Sequence, residues 1–261
     1  MSSLVPVLGT DLMQLMGAVW WPFVRLSSFF WAMPVMDNPA VPVRSRILLA
    51  FFLAFALSHQ LPAMPDVDPF SLTMVAFTFE QVVFGLSMAM AFRMLFEVFN
   101  QAGLIMSMQM GLSMAMVMDP ASGDQVSILG NLLWLMMVLL FFAFNGHLLG
   151  LQMIVDSFQL WPVGHSLEAL NFDALLTMFG WIFASSLLVA LPAVIAMLLV
   201  NMTFGIASRS APALNLFTFG FPLTLMLGFV VVYLTFAQAG NLFSQLLFDA
   251  LDTMRRFMVG N

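Results

Sequence analysis

Long apolar runs, separated by short clusters of proline and charge, set the pattern of this chain. Three runs, residues 125–155, 174–208 and 210–248, contain no Asp, Glu, Lys or Arg. A helix rises about 1.5 Å per residue and needs about 20 mostly apolar residues to cross a bilayer. Each run exceeds that, which implies tilt, a kink or extension past the bilayer. The N-terminal half is more broken. It predicts one helix over about 11–33 with Pro22 and Arg25 inside, a second from about Arg46 to Leu61, and a third from about Pro69 to Gln101 carrying Glu80, Arg93 and Glu97. The expectation is an all-α membrane protein of about six long, partly kinked helices.

The links carry helix breakers. Pro34, Pro39 and Pro42 bracket an extended connection, and Pro62, Pro65 and Pro69 do the same beside Asp66 and Asp68, because proline and the residue before it both resist helix. Asp119-Pro120 with Ser122-Gly123, the segment Trp161-Pro162-Val163-Gly164, and Arg209 to Pro212 read as further turns. Pro192 and Pro222 lie within apolar runs and are expected to kink their helices, which bundles tolerate when neighbours satisfy the freed backbone. Arg44, Arg46 and Arg209 favour odd links in the cytoplasm, whereas Arg255 and Arg256 favour the opposite orientation, so arginine placement leaves the topology open. Residues 1–10 hold no Lys or Arg. A signal peptide's basic start is therefore missing, and the first apolar segment is expected to stay in the mature chain.

Composition narrows the class. Apolar residues make up 62% of the 261 and charged residues only 8%, against roughly one quarter charged in soluble domains. Such a chain cannot cover a globular surface in water, which excludes a soluble enzyme, a disordered tail and a fibre. The seven basic residues are all Arg, and 13 acids bring the net charge to −6, so no basic patch exists for nucleic acid. With no cysteine, disulfides, thiolate metal sites and Cys nucleophiles are excluded. No HExxH, G-x-S-x-G or phosphate loop occurs, and His59, His147 and His165 lack metal-ligand spacing. No catalytic residue, cofactor or metal is assigned.

Ionisable groups inside apolar helices are costly unless paired, so they are candidates for function. Arg25, Glu80, Arg93, Glu97 and Asp156 are such groups. Arg93 and Glu97 stand four apart and can pair on one helix face, plainly as a structural ion pair. Arg25 and Glu80 lack local partners, which suggests pairing with each other or with another subunit. Residues 106–118 hold Met106, Met108, Met110, Met114, Met116 and Met118, flanked by Gly103 and Gly111. Flexible, polarizable methionines fill irregular gaps and suit a compliant apolar seal across a pore; the plainer reading is a Met-rich core helix. The repeated GLSMAM at 85–90 and 111–116 has unlike flanks and reads as coincidence. Asn201, Arg209 and Asn215 spaced between two apolar helices read as a partner contact or a helix cap. A polytopic secondary transporter of a small substrate, binding at broken helices, is the alternative class; an intramembrane enzyme would want a paired catalytic set.

Several blocks together carry a family resemblance. They are Arg25 with Pro34, Val41-Pro42 and Arg46; Glu80 and Gly85; Gly103, Gln109-Met110-Gly111 and Asp119-Pro120; Asn145-Gly146-His147; and Asn201, Gly205, Arg209, Pro212, Asn215 and Gly220-Phe221-Pro222. On these, spread over nearly the whole length, the chain resembles the FliR family of flagellar export-gate proteins, called SctT in virulence type III secretion. Where the family often has Gln after the proline of the Arg…Pro…Asn block, Ala213 stands here. The resemblance implies a P-like helical region over 1–165, with a Met-rich plug loop near 106–118, followed by a Q-like helical hairpin over 166–261. It implies assembly with P-type and Q-type gate subunits, the B-type switch protein and the A-type export protein, in the bacterial inner membrane within the flagellar basal body. Unfolded flagellar proteins would be the substrates, membrane lipid would surround the assembly, and nucleic acid would play no part.

Overall fold

The computed structural model describes residues 4–112, 127–165, 171–210 and 220–259, and these are helical throughout apart from their links. Among the described residues seven helices follow one another: α1 (Leu4–Ala32), α2 (Val43–Leu57), α3 (Leu72–Gln109), α4 (Ile128–Ala143), α5 (Gly146–Leu160), α6 (Phe172–Ser210) and α7 (Phe221–Val259). The chain is thus an all-α membrane protein. Among the described residues three helices are long and apolar enough to cross a membrane, α3, α6 and α7, and the α4–α5 pair adds a broken span bent by 66°.

Local chemistry explains the boundaries. Ser71 accepts a hydrogen bond from the Met74 amide and opens α3, and Ser127 does the same for α4 through the Gly130 amide. Asn171 caps α6 by accepting from the Ala174 amide. Each satisfies one amide that a helix start leaves without an internal partner. Asp173 in the first turn of α6 and Arg209 in the last suit the helix dipole.

The helix ends add detail to the expected all-α pattern. The 125–155 run is two helices: Asn145 adopts the left-handed conformation (φ 56°) and ends the first. Asparagine tolerates this region better than most residues. Pro222 stands near the start of the described part of α7, two residues after the π-helical Gly220. The last helix continues past the charge-free run to Val259. It accommodates charge because Asp249, Asp252, Arg255 and Arg256 face outward while Met254, Phe257 and Met258 are buried.

The chain forms two compact units. One comprises Met1–Arg93, Asn145–Met178 and Ala250–Asn261; the other comprises Met94–Phe144 and Phe179–Asp249. The core of the first is aromatic: Trp21, Phe29, Phe84, Phe92, Phe158 and Phe257 are all but fully buried, with edge contacts such as Phe29 on Phe92 at 5.9 Å. Gly150 of α5 allows close approach here, since a Cβ would meet the Phe29 and Phe92 rings at 3.3 Å. In the second unit Phe96 packs on Trp134 and Phe141, and Phe144 packs on Phe243. Much of α6 and α7 is apolar yet exposed, including Phe183, Leu188, Leu199, Met226 and Tyr233.

Candidate functional site

Two constellations stand out, one in each unit. In the first, Arg25 of α1 is wholly buried. A buried cation costs several kcal/mol unless its donors and charge are satisfied, and here they are. Nε donates to Gln81 Oε1 at 2.7 Å, Nη1 to Ser157 Oγ at 2.8 Å and Nη2 to the Trp161 carbonyl at 3.2 Å. The guanidinium lies 3.8 Å from the Phe158 ring centroid and 4.5 Å from that of Phe84. A planar guanidinium can use its edge for hydrogen bonds while its faces lie on aromatic rings. Phe84 in turn stacks on Trp161.

Arg25 and Glu80 are linked, though not as a direct ion pair. Gln81 accepts from Arg25 and donates to Glu80 Oε1 at 3.3 Å. Glu80 also faces the Gly164 amide. The network therefore ties α1, α3, α5 and the turn after α5 within one unit. Sequence reading named Arg25 and Glu80 but not Gln81, Phe84, Ser157, Phe158 or Trp161. Gln81 and Ser157 lie 56 and 132 positions from Arg25, and no local motif marks either. Glycine again permits closeness: a Cβ on Gly85 would stand 2.9 Å from Ser28 Cβ on α1.

The expected Arg93–Glu97 pair does not form. Arg93 Nη1 reaches Asp37 at 3.2 Å, and Arg46 shares that carboxylate at 3.7 Å. Glu97 accepts from Asn100 Nδ2 at 3.2 Å instead. An acid following a base by four residues is the weaker order on a helix, and the link after α1 supplies Arg93 with an acid. Asn201 and Arg209 are exposed near the end of α6; Asp156 of α5 is half-buried. Asn215, Met114, Met116 and Met118 lie outside the described residues.

The second constellation is the neck of the Met-rich stretch. α3 runs past Gln101 to Gln109, so Met106 and Met108 are helical. Met106 and Met110 are buried, whereas Met108 is 56% exposed. Gly111 (φ 76°) ends the helix. Its amide donates to the Met108 carbonyl at 3.2 Å, and that of Leu112 to the Ser107 carbonyl at 3.0 Å, which is the paired-bond C-cap that glycine favours. The far end is held alongside: Ser107 and Ser127 share a 2.7 Å hydroxyl bond, and a Cβ on Gly103 would lie only 2.5 Å from Gly130 Cα. α3 and α4 thus meet backbone to backbone where residues 113–126 leave and return. Met110 and Gly111 rest on α7. A Cβ on Gly228 would stand 2.6 Å from Met110 Sδ, and one on Gly111 would stand 3.4 Å from the Phe221 ring.

An apolar cavity of about 1270 Å³ also opens in the first unit, walled by Trp20, Trp21, Phe23, Phe51, Phe55 and Phe79, with Asp66 and Thr78 in its lining. Its chemistry suits hydrocarbon.

Comparison with known proteins gives one consistent result. Residues 16–250 match the family model described as bacterial export proteins, family 1. The chain is 35% identical over 211 residues to the flagellar biosynthetic protein FliR of Escherichia coli K12, covering 80% of each. It is 28% identical over 244 residues to the FliR of Bacillus subtilis, covering 90% of this chain and 92% of that one. Similarity extends to the surface presentation of antigens protein SpaR of Shigella flexneri, 24% identical over 213 residues.

Proposed function

The chain belongs to the bacterial export proteins, family 1, and from that premise we propose that it is a core subunit of the flagellar type III export gate, helping to form and seal the channel through which unfolded flagellar proteins leave. A place in the flagellar or type III export apparatus follows from the family; the similarity to FliR over 80% of both chains carries the flagellar assignment. In this reading residues 1–165 are the P-like part and 166–261 the Q-like hairpin. The partners are P-type and Q-type subunits, the B-type switch protein and the A-type export protein, in the inner membrane at the basal body. The exposed apolar faces of α6 and α7 are where lipid or neighbouring subunits would lie.

The subunit does no covalent chemistry in this account. The methionines of 106–118 close the lumen to ions and yield around a passing chain, because an unbranched thioether repacks readily. The neck supports this reading: Ser107, beside Met106 and Met108, is held to Ser127 at the start of α4 by a 2.7 Å hydroxyl bond.

The test of membership is mass spectrometry of the intact complex, purified in mild detergent through a tag on this chain. P-type and Q-type subunits are expected at a fixed ratio. A stable lone monomer or homodimer would instead favour a small-substrate transporter. The test of the seal is deletion of about half of 106–118. Ions should leak while assembly persists, and tight membranes would remove the seal.

A further inference from the structure

The Met-rich stretch leaves α3 at Met110, and what holds Met110 is α7. Met110 is 2% exposed although it follows the last helical residue of α3. Its side chain occupies the space above Gly228, where a Cβ would stand 2.6 Å from both Cγ and Sδ and would also collide with Cε. Any side chain there would have to displace the Met110 thioether from this seat. The next residue, Gly111, faces Phe221, about two turns before Gly228 on α7. On this stretch of α7 most residues are exposed (Met226 at 68%, Phe229 at 54%, Tyr233 at 72%), while Thr224, Gly228 and Val232, spaced by four, are buried. A single narrow face of α7 therefore receives the end of α3.

We propose that Gly228 is a positioning residue for the seal: it forms the notch in α7 that seats Met110 and so fixes where the Met-rich stretch departs. The consequence for ion tightness rests on the seal reading above; the contact does not. Gly228 lies 118 positions beyond Met110 in sequence (228 minus 110), and nothing in its own surroundings, FPLTLMLGFVV, marks it as more than a helical glycine. A glycine inside a helix costs about 1 kcal/mol relative to alanine. Here the missing Cβ has a use.

Two measurements on the assembled gate in bacterial membranes test this. The first uses the absence of native cysteine: in a Met110→Cys, Gly228→Cys double variant, a mild oxidant should form an internal bridge, read as a loss of free thiol in the intact chain. The exchange reduces volume at 110 as it adds volume at 228, so this variant is expected to assemble. Failure to cross-link overturns the proposal. The second is ion leak. Gly228→Ala should raise it several-fold, and the same substitution should add nothing in a Met110→Ala background, because the truncated side chain vacates the notch. An equal added leak in that background overturns the proposal. A tight Gly228→Ala gate beside a leaking half-deletion of 106–118 overturns it too and leaves the seal standing. Tight membranes in both remove the seal and this role together.

Discussion

Arg25 illustrates how a buried cation can be held through neutral hydrogen-bond partners, with the Glu80 carboxylate reached only through Gln81. Its donors are met by an amide oxygen, a hydroxyl and a carbonyl, and its faces by two rings. Arg25→Leu would leave Gln81 Oε1 and the Trp161 carbonyl without their donor, and Arg25→Lys would replace a planar fork with a point charge. Both should destabilise the subunit by about 3–5 kcal/mol, read as lost yield of assembled complex and a lower unfolding temperature in detergent. Glu80→Gln keeps an oxygen to accept from Gln81 and should cost far less, about 1 kcal/mol. Equal losses from Arg25→Lys and Glu80→Gln would refute this ranking. Arg93→Ala provides the contrast: its pair with Asp37 is half exposed (53% and 39%), and an exposed pair contributes at most about 1 kcal/mol, so its melting curve should nearly overlay that of the wild type. Arg25 was legible as a candidate from its position in an apolar run. Its partners were not, because side chains 56 to 136 residues apart meet only after the helices pack.

At the scale of elements, apolar runs and prolines anticipated where helices lie better than how they end. Helix α6 falls almost on its charge-free run, 172–210 against 174–208. The break at Asn145 was missed because the charge-free run was read for length, whereas Asn145-Gly146, a turn-forming pair, marks the point where α4 ends. Gly111 makes the corresponding prediction. With φ at 76°, Gly111→Ala places a Cβ in a conformation costing about 1–2 kcal/mol. Ser127→Ala removes the cap of α4 and the bond to Ser107, at about 1–2 kcal/mol. Both should speed amide hydrogen exchange in the last turn of α3, from Met106 to Met110, without changing that of α5. Unchanged protection at Met110 in both variants would show that the neck does not depend on these caps.

For the whole molecule the dominant fact is how much apolar surface the folded chain still shows. The most apolar window of α7 is only 22% buried and that of α6 39%, against 67% for α3. The outward faces of α6 and α7 must therefore be covered by lipid or protein, and charge should be rejected there. Leu188, 67% exposed on α6, is the site to try. Leu188→Arg should cost about 2.5–3.5 kcal/mol at the centre of a span and deplete the membrane-inserted protein, whereas Leu188→Ala should be nearly silent. Equal accumulation of both in the membrane fraction would argue that this face lies in water.

Sequence alone determined that the protein is helical and membrane-bound, that cysteine chemistry is excluded and that its motifs resemble one export family. Those properties follow from composition and from short-range spacing, which survive without knowledge of any distant contact. Only the tertiary structure decided that Arg25 meets Glu80 through Gln81, that Arg93 turns to Asp37 rather than Glu97, and that Met110 lies over Gly228. Each depends on which helix faces come together, and on a hydrogen atom at position 228 where any other residue would place a carbon.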